Sequence, residues 1–73
     1  MEEARAFVAN ALGKSLDEVP DGGAVGETSG WDSLGHMRLM LALEARLRRS
    51  LDAREIISVR SVADIARLLS NGG

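Results

Sequence analysis

The chain contains no cysteine and one histidine. Disulfide frameworks, thiol nucleophiles and zinc centres built from several Cys and His ligands are thereby excluded. Any thiol chemistry has to be supplied from outside the polypeptide. Aromatic residues are scarce, with one Trp, one Phe and no Tyr. No apolar run approaches the roughly 18 residues of a membrane span, and the opening MEEARAFVAN is acidic where a secretory signal is basic. These features point to a soluble, cytoplasmic protein with no membrane partner. A net charge of −2 argues against nucleic acid, whose binding depends on Lys and Arg neutralising many phosphates. At 73 residues the chain makes one domain, residues 1–73, with an economical core and no room for a walled substrate pocket.

What is present is organised in helical periods. Phe7, Val8, Ala11 and Leu12 form one face of a helix that begins behind Glu2 and Glu3 and stops at Gly13. The stretch SLDEVPDGGAVGETSG, with one proline and four glycines, reads as a long loop with a short turn at Ser15 to Glu18. Leu16, Val19 and Val25 are its candidate anchors to the core. From Ser33 to about Arg49 the composition favours the longest helix, with Gly35 as the one weak helix former. LDAREIISV accommodates a short third helix or turn carrying Leu51, Ile56 and Ile57. The final helix is announced by Ser61 and Asp64 in capping-box register, by the stripe Val62, Ile65, Ala66, Leu68 and Leu69, and by the closing NGG. The predicted fold is all-α, a small bundle of three main helices and one short helix with a long loop between the first two.

Charge is unevenly distributed. Residues 1–32 hold seven acids and two bases, a balance of −5, whereas residues 33–73 hold four acids and seven bases, a balance of +3. Solvated helix faces or a partner-facing asymmetry would both produce this pattern. The long helix carries a second peculiarity. At about 100° per residue, with Leu34 at zero, Leu39, Met40, Leu43, Leu47 and Leu51 occupy an arc from about 140° to about 260°, a normal core face. Leu34, Met37 and Leu41 form a second stripe between about 300° and 360°, with Glu44 at the seam and Arg38 and Arg48 beside it. Either the whole arc is core, or Leu34, Met37 and Leu41 are an exposed docking ridge rimmed by Arg38, Glu44 and Arg48. The ridge is the favoured reading, because flexible Met among exposed apolar residues suits a surface that meets several partners.

At the mouth of this helix stands GWDSLGHM. Asp32 directly precedes the apolar run and reads as its N-cap, which puts Ser33 at the first helical position. A phosphodiester on Ser33 would sit in the favourable field of the helix N-terminus. His36, three residues on, lies within reach of Ser33, but a catalytic triad also needs an oxyanion hole and a substrate site. Nothing in the chain supplies them, so no catalytic residue is assigned and the protein is not read as an enzyme. His36 falls on the core side of the helix, packed under the loop. Trp31 reads either as a staple packed down ahead of the helix or as a part-exposed neighbour of a group on Ser33.

The run GWDSLGHMRLMLALEARL resembles the helix-two signature of acyl carrier proteins, in which an Asp-Ser-Leu triplet carries 4'-phosphopantetheine on its serine. The order and size of the elements match that family over essentially the whole chain. The resemblance implies attachment at Ser33, with Asp32 and Leu34 as its motif neighbours, and a thiol arm taken from coenzyme A. It implies as partners a phosphopantetheinyl transferase, an acyl- or aminoacyl-loading ligase and downstream transferases or synthases, docking on Leu34, Met37, Arg38, Leu41, Glu44 and Arg48 of a monomer. The carrier would hold acyl or aminoacyl intermediates as thioesters. Two departures stand out: residues 33–50 contain Glu44 as the only acid against Arg38, Arg46, Arg48 and Arg49, and Gly35 follows the triplet where such carriers often have Asp or Glu. The GWDSLGHM form more closely resembles discrete carriers of specialised pathways. The rival reading is a helical interaction module in which Ser33 is only a capping-region residue. A Gly-Gly sulfur or tag carrier is rejected, because those proteins are built on a β-sheet.

Overall fold

A computed structural model describes residues 2–71. Four α-helices follow one another: α1 (Glu2–Leu12), α2 (Ser33–Leu47), α3 (Ala53–Ser58) and α4 (Val62–Asn71). A single 3-10 turn at Leu16–Glu18 lies in the connection between α1 and α2. The all-helical expectation is met, and no strand is present among the described residues beyond an isolated bridge between Ala24 and Ser61. No described helix is long and apolar enough to cross a membrane. The expected closure of the last helix by Gly72 and Gly73 lies outside the described residues.

The core is assembled where the helical stripes meet. Val8 of α1, Leu39 and Leu43 of α2, and Val62 and Ile65 of α4 are completely buried. At about 25 cal/mol per Å² each contributes on the order of 1.5–3 kcal/mol. Two loop residues join them, Val19 at 0% and Trp31 at 1% exposure, so the loop forms part of the core. Leu16 and Val25 are only half-buried. Arg5 of α1 holds the loop from the other side: its Nε donates to the Val19 carbonyl at 2.7 Å and its Nη2 to the Leu16 carbonyl at 3.1 Å. Further along, Val25 N–H donates to the Arg60 carbonyl at 2.8 Å and Val62 N–H to the Gly23 carbonyl at 3.0 Å. The connection is thereby fastened to α1 at one end and to the start of α4 at the other, which satisfies backbone groups that burial would otherwise leave unpaired.

Helix ends follow local chemistry, with one correction to the sequence reading. α2 stops at Leu47 rather than near Arg49, because Arg48 adopts a left-handed conformation at φ 59° and its N–H closes on the Glu44 carbonyl. A non-glycine residue there carries a cost of roughly 1–2 kcal/mol. Leu51 accordingly reaches the core from the following loop and not from the helix face. Ile56 and Ile57 lie on the short third helix as expected, with Ile56 packed against the core and Ile57 66% exposed. At α4 the capping residues work as an extended box. Asp64 N–H donates to Ser61 Oγ, while the Asp64 carboxylate accepts from Ser61 Oγ at 3.2 Å and from Arg60 N–H at 2.9 Å. Burial pushes the Asp64 carboxyl up, but these hydrogen bonds and the Arg67 guanidinium outweigh it and hold it below its ordinary value. A lowered folded-state pKa contributes stability above the unfolded value, and that contribution is lost as pH falls through the folded one.

Gly35 is the tightest point of the fold. It is buried inside the first turn of α2, and a Cβ built there would collide with the Gly30 carbonyl oxygen and lie 3.1 Å from Leu12 Cδ2. Gly30 itself holds φ +82°, which glycine adopts without steric cost. Helix propensity alone favours Ala over Gly by about 1 kcal/mol, but overpacking against backbone costs about 1–3 kcal/mol. Gly35→Ala should therefore lower the urea midpoint, followed by the fluorescence of the sole tryptophan; a variant of equal or greater stability would show that the loop does not press on α2.

Candidate functional site

The loop and the start of α2 together place Ser33 at the surface. Asp32 is the N-cap, in extended conformation, and its Oδ1 accepts from Gly35 N–H at 2.9 Å. A cap of this kind is worth about 1 kcal/mol. Its carbonyl accepts from His36 N–H at 2.7 Å, so the helix ladder begins at Asp32. Ser33 is the first helical residue and is exposed; its hydroxyl makes no hydrogen bond among the described residues. Leu34 beside it is 63% exposed. Upstream, Trp31 N–H donates to the Thr28 carbonyl and Gly26 N–H to the Trp31 carbonyl, so the approach to Ser33 is a hydrogen-bonded turn.

Trp31 and His36 complete this support. Trp31 is packed into the core, as a staple would be, and its indole Nε1–H donates to His36 Nδ1 at 3.0 Å. The rings lie nearly parallel, 18° apart, with centroids separated by 6.4 Å. On its other side His36 Nε2 lies 3.0 Å from the Ile56 carbonyl of α3. An indole N–H only donates and a carbonyl only accepts, so the two partners assign the neutral tautomer with the proton on Nε2. Both ring nitrogens are committed. His36 is thus no base for Ser33; it fastens Trp31, two residues before the serine, to the third helix. Sequence reading placed His36 on the core side but missed both partners, since one is a backbone carbonyl 20 positions away.

The two apolar stripes of α2 separate cleanly. Leu39, Met40 and Leu43 are buried, with Leu47 half-buried, whereas Leu34, Met37 and Leu41 are 63%, 53% and 63% exposed. The reading in which the whole arc is core is overturned. Arg38 and Arg48 stand exposed beside this ridge, Arg48 as the C-cap. Glu44, expected on the rim, is half-buried and accepts from Leu51 N–H at 2.7 Å, which holds the turn after α2 in place. The segment from Leu51 to Ile56 therefore runs back along α2 from Glu44 toward His36. Ile57, the residue after Ile56, is a further exposed large apolar side chain. Arg49 makes a bidentate pair with Glu55 at 2.9 and 3.1 Å, and its guanidinium, helped by the Asp52 N–H, holds the Glu55 carboxyl below its ordinary value. Arg46 turns the other way to Glu3 of α1 at 2.6 Å. Two recesses open on the surface, one between α1 and α4 and one within the loop, and neither is lined by α2.

Compared with known families, residues 2–69 match the family model described as Phosphopantetheine attachment site. No curated protein matches the chain at a significant level.

Replacement of His36 by Ala should leave the buried Trp31 N–H without an acceptor and the end of α3 without its tether. An unpaired buried polar group costs about 1–3 kcal/mol. The expected result is a destabilisation of that order in urea, together with a shift in native-state Trp31 emission. An unchanged spectrum and midpoint would show that the bridge is not formed in solution.

Proposed function

The chain belongs to the phosphopantetheine attachment family, and from that premise we propose that Ser33 is the attachment residue of an acyl or aminoacyl carrier domain spanning residues 1–73. The exposed, uncommitted hydroxyl of Ser33 at the first position of a capped 15-residue helix supports this reading most directly. Members of this family carry 4'-phosphopantetheine and are not themselves catalytic; they meet phosphopantetheinyl transferases and ligase or synthase enzymes. When bound, the group supplies the thiol that the chain lacks, on which acyl or aminoacyl groups are held as thioesters.

The residues around Ser33 fit such a group. A phosphodiester on Oγ would stand at a helix N-terminus, where free backbone N–H groups and the helix dipole favour negative charge. Asp32 directs one carboxylate oxygen at Gly35 N–H, which keeps the first turn closed and Ser33 outward. Trp31 is buried and so acts as an anchor for the turn. Leu34, Met37 and Leu41 continue from the serine as the surface on which the transferase, the loading ligase and downstream transferases or synthases dock, with Arg38 and Arg48 at its edge. Glu44 serves that surface indirectly, by fixing the turn that carries α3 back along it.

The decisive experiment is the intact mass of the protein after incubation with coenzyme A and a broad-specificity phosphopantetheinyl transferase, beside a Ser33→Ala control. A gain of one phosphopantetheine that vanishes in the control is expected. No gain, with the transferase active on another carrier, would leave a helical interaction module in which Ser33 belongs only to the cap. A second expectation concerns the ridge. Met37→Glu and Leu41→Glu should each lower kcat/KM for loading by about tenfold, as buried anchors of an interface do, while stability changes by no more than about 0.5 kcal/mol. Loss of helicity in either variant would assign that side chain to the core instead.

A further inference from the structure

The charged groups that border the exposed ridge fall into two classes. The acids are engaged within the chain. Glu44 accepts from Leu51 N–H, Asp52 caps α3 through Glu55 N–H, and Glu55 is paired with Arg49. Arg38, Arg48 and Arg54 are exposed and form no ion pair among the described residues. The other arginines of α2 and its following turn do have partners, Arg46 with Glu3 and Arg49 with Glu55. The contrast is therefore one of availability: three guanidiniums with open donor forks stand around an apolar surface whose carboxylates are already engaged.

Position makes these three a frame. Arg38 follows Met37 on α2, Arg48 closes the far end of that helix, and Arg54 shares the exposed side of α3 with Ile57, three residues on. The Ile56 carbonyl lies 3.0 Å from His36 of α2, so the chain at exposed Ile57 stands beside the first turns of α2, and Arg54 is exposed on the same short helix. Guanidinium is suited to bidentate recognition of carboxylate. We propose that the enzymes docking on this face present an apolar depression edged by Asp and Glu carboxylates, which pair with Arg38, Arg48 and Arg54 while Leu34, Met37, Leu41 and Ile57 fill the depression. This inference rests on the carrier reading above and specifies its partner.

An anionic lipid surface would also attract free arginines. The ridge is narrow, however, the chain as a whole carries −2, and residues 1–32 carry −5, so a partner that meets only this face fits better than an extended anionic sheet.

The test uses two phosphopantetheinyl transferases that both load unrelated carriers, one with an acidic carrier-docking face and one with a basic face. Loading of the intact chain is expected to be faster with the acidic-faced enzyme and to slow as salt is raised. The triple variant R38E/R48E/R54E replaces three exposed attractions with repulsions and should lose about tenfold or more in kcat/KM with that enzyme. The same variant should gain with the basic-faced enzyme, and R38Q/R48Q/R54Q should fall between. Circular dichroism establishes that each variant is folded, and the glutamine variant keeps the comparison available should the glutamate variant unfold. Loading at equal rates by both enzymes, or faster loading by the basic-faced one, would overturn the acidic-partner proposal while leaving the carrier reading intact. Failure of both enzymes to load Ser33 would overturn the carrier reading, and the partner proposal with it. Co-sedimentation with phosphatidylglycerol vesicles that is lost in the triple variant, with unchanged loading rates, would assign the arginines to a lipid surface instead.

Discussion

The close approach of two backbone segments, at Gly30 and Gly35, is the constraint from which the functional end of this molecule follows. The loop can press on the first turn of α2 only because Gly35 has no Cβ to meet the Gly30 carbonyl. Once the loop is there, Trp31 drops into the core, Asp32 comes into register to cap the helix, and Ser33 is left facing outward. A larger residue at position 35 would have to lift the loop, and the cap and the staple would move with it. The residue that looks like a departure from the carrier pattern is therefore the one that brings the serine's support this close.

α2 resolves two opposing demands along a single helix. In a chain of 73 residues the hydrophobic effect favours burying every large apolar side chain available. Leu39, Met40 and Leu43 are buried, yet Leu34, Met37 and Leu41 remain in water although they lie on the same helix. α3 has only six residues, and the chain around it is tied to α2 by two polar contacts, Leu51 N–H on Glu44 and the Ile56 carbonyl on His36, while Leu34, Met37 and Leu41 stay exposed.

The parts of this arrangement that were legible in the sequence are those set by local rules. Helical periodicity located α1, α2 and α4, capping residues marked the starts of α2 and α4, and the excess apolar stripe was visible as a surplus over what one core face needs. What escaped depends on contacts between distant positions or on conformations that composition does not encode. The left-handed geometry of Arg48 shortened α2 without a glycine to announce it. The role of Glu44 requires knowing that the chain reverses at once to present Leu51 N–H, and the exposure of Ile57 requires knowing which way a single helical turn faces. Gly35 stood out as a weak helix former and as a departure from the carrier pattern, but not as a close approach, because its reason lies in the carbonyl of a residue across the loop.

The stretch Asp32, Ser33 and His36 shows why residue types in proximity do not define a reaction. Read as a set, they contain the components of a nucleophilic site. In the fold each polar group of Asp32 and His36 acts separately: one carboxylate oxygen on the Gly35 N–H, one ring nitrogen on the Trp31 indole, the other on the Ile56 carbonyl. These bonds remove the groups that would activate the serine and turn them into supports for its position. A hydroxyl held rigidly outward, with no base of its own, is a poor catalyst and a good substrate. On the carrier reading proposed above, activation comes from the enzyme that approaches, and the exposed ridge beside Ser33 would be the surface through which it is recognised.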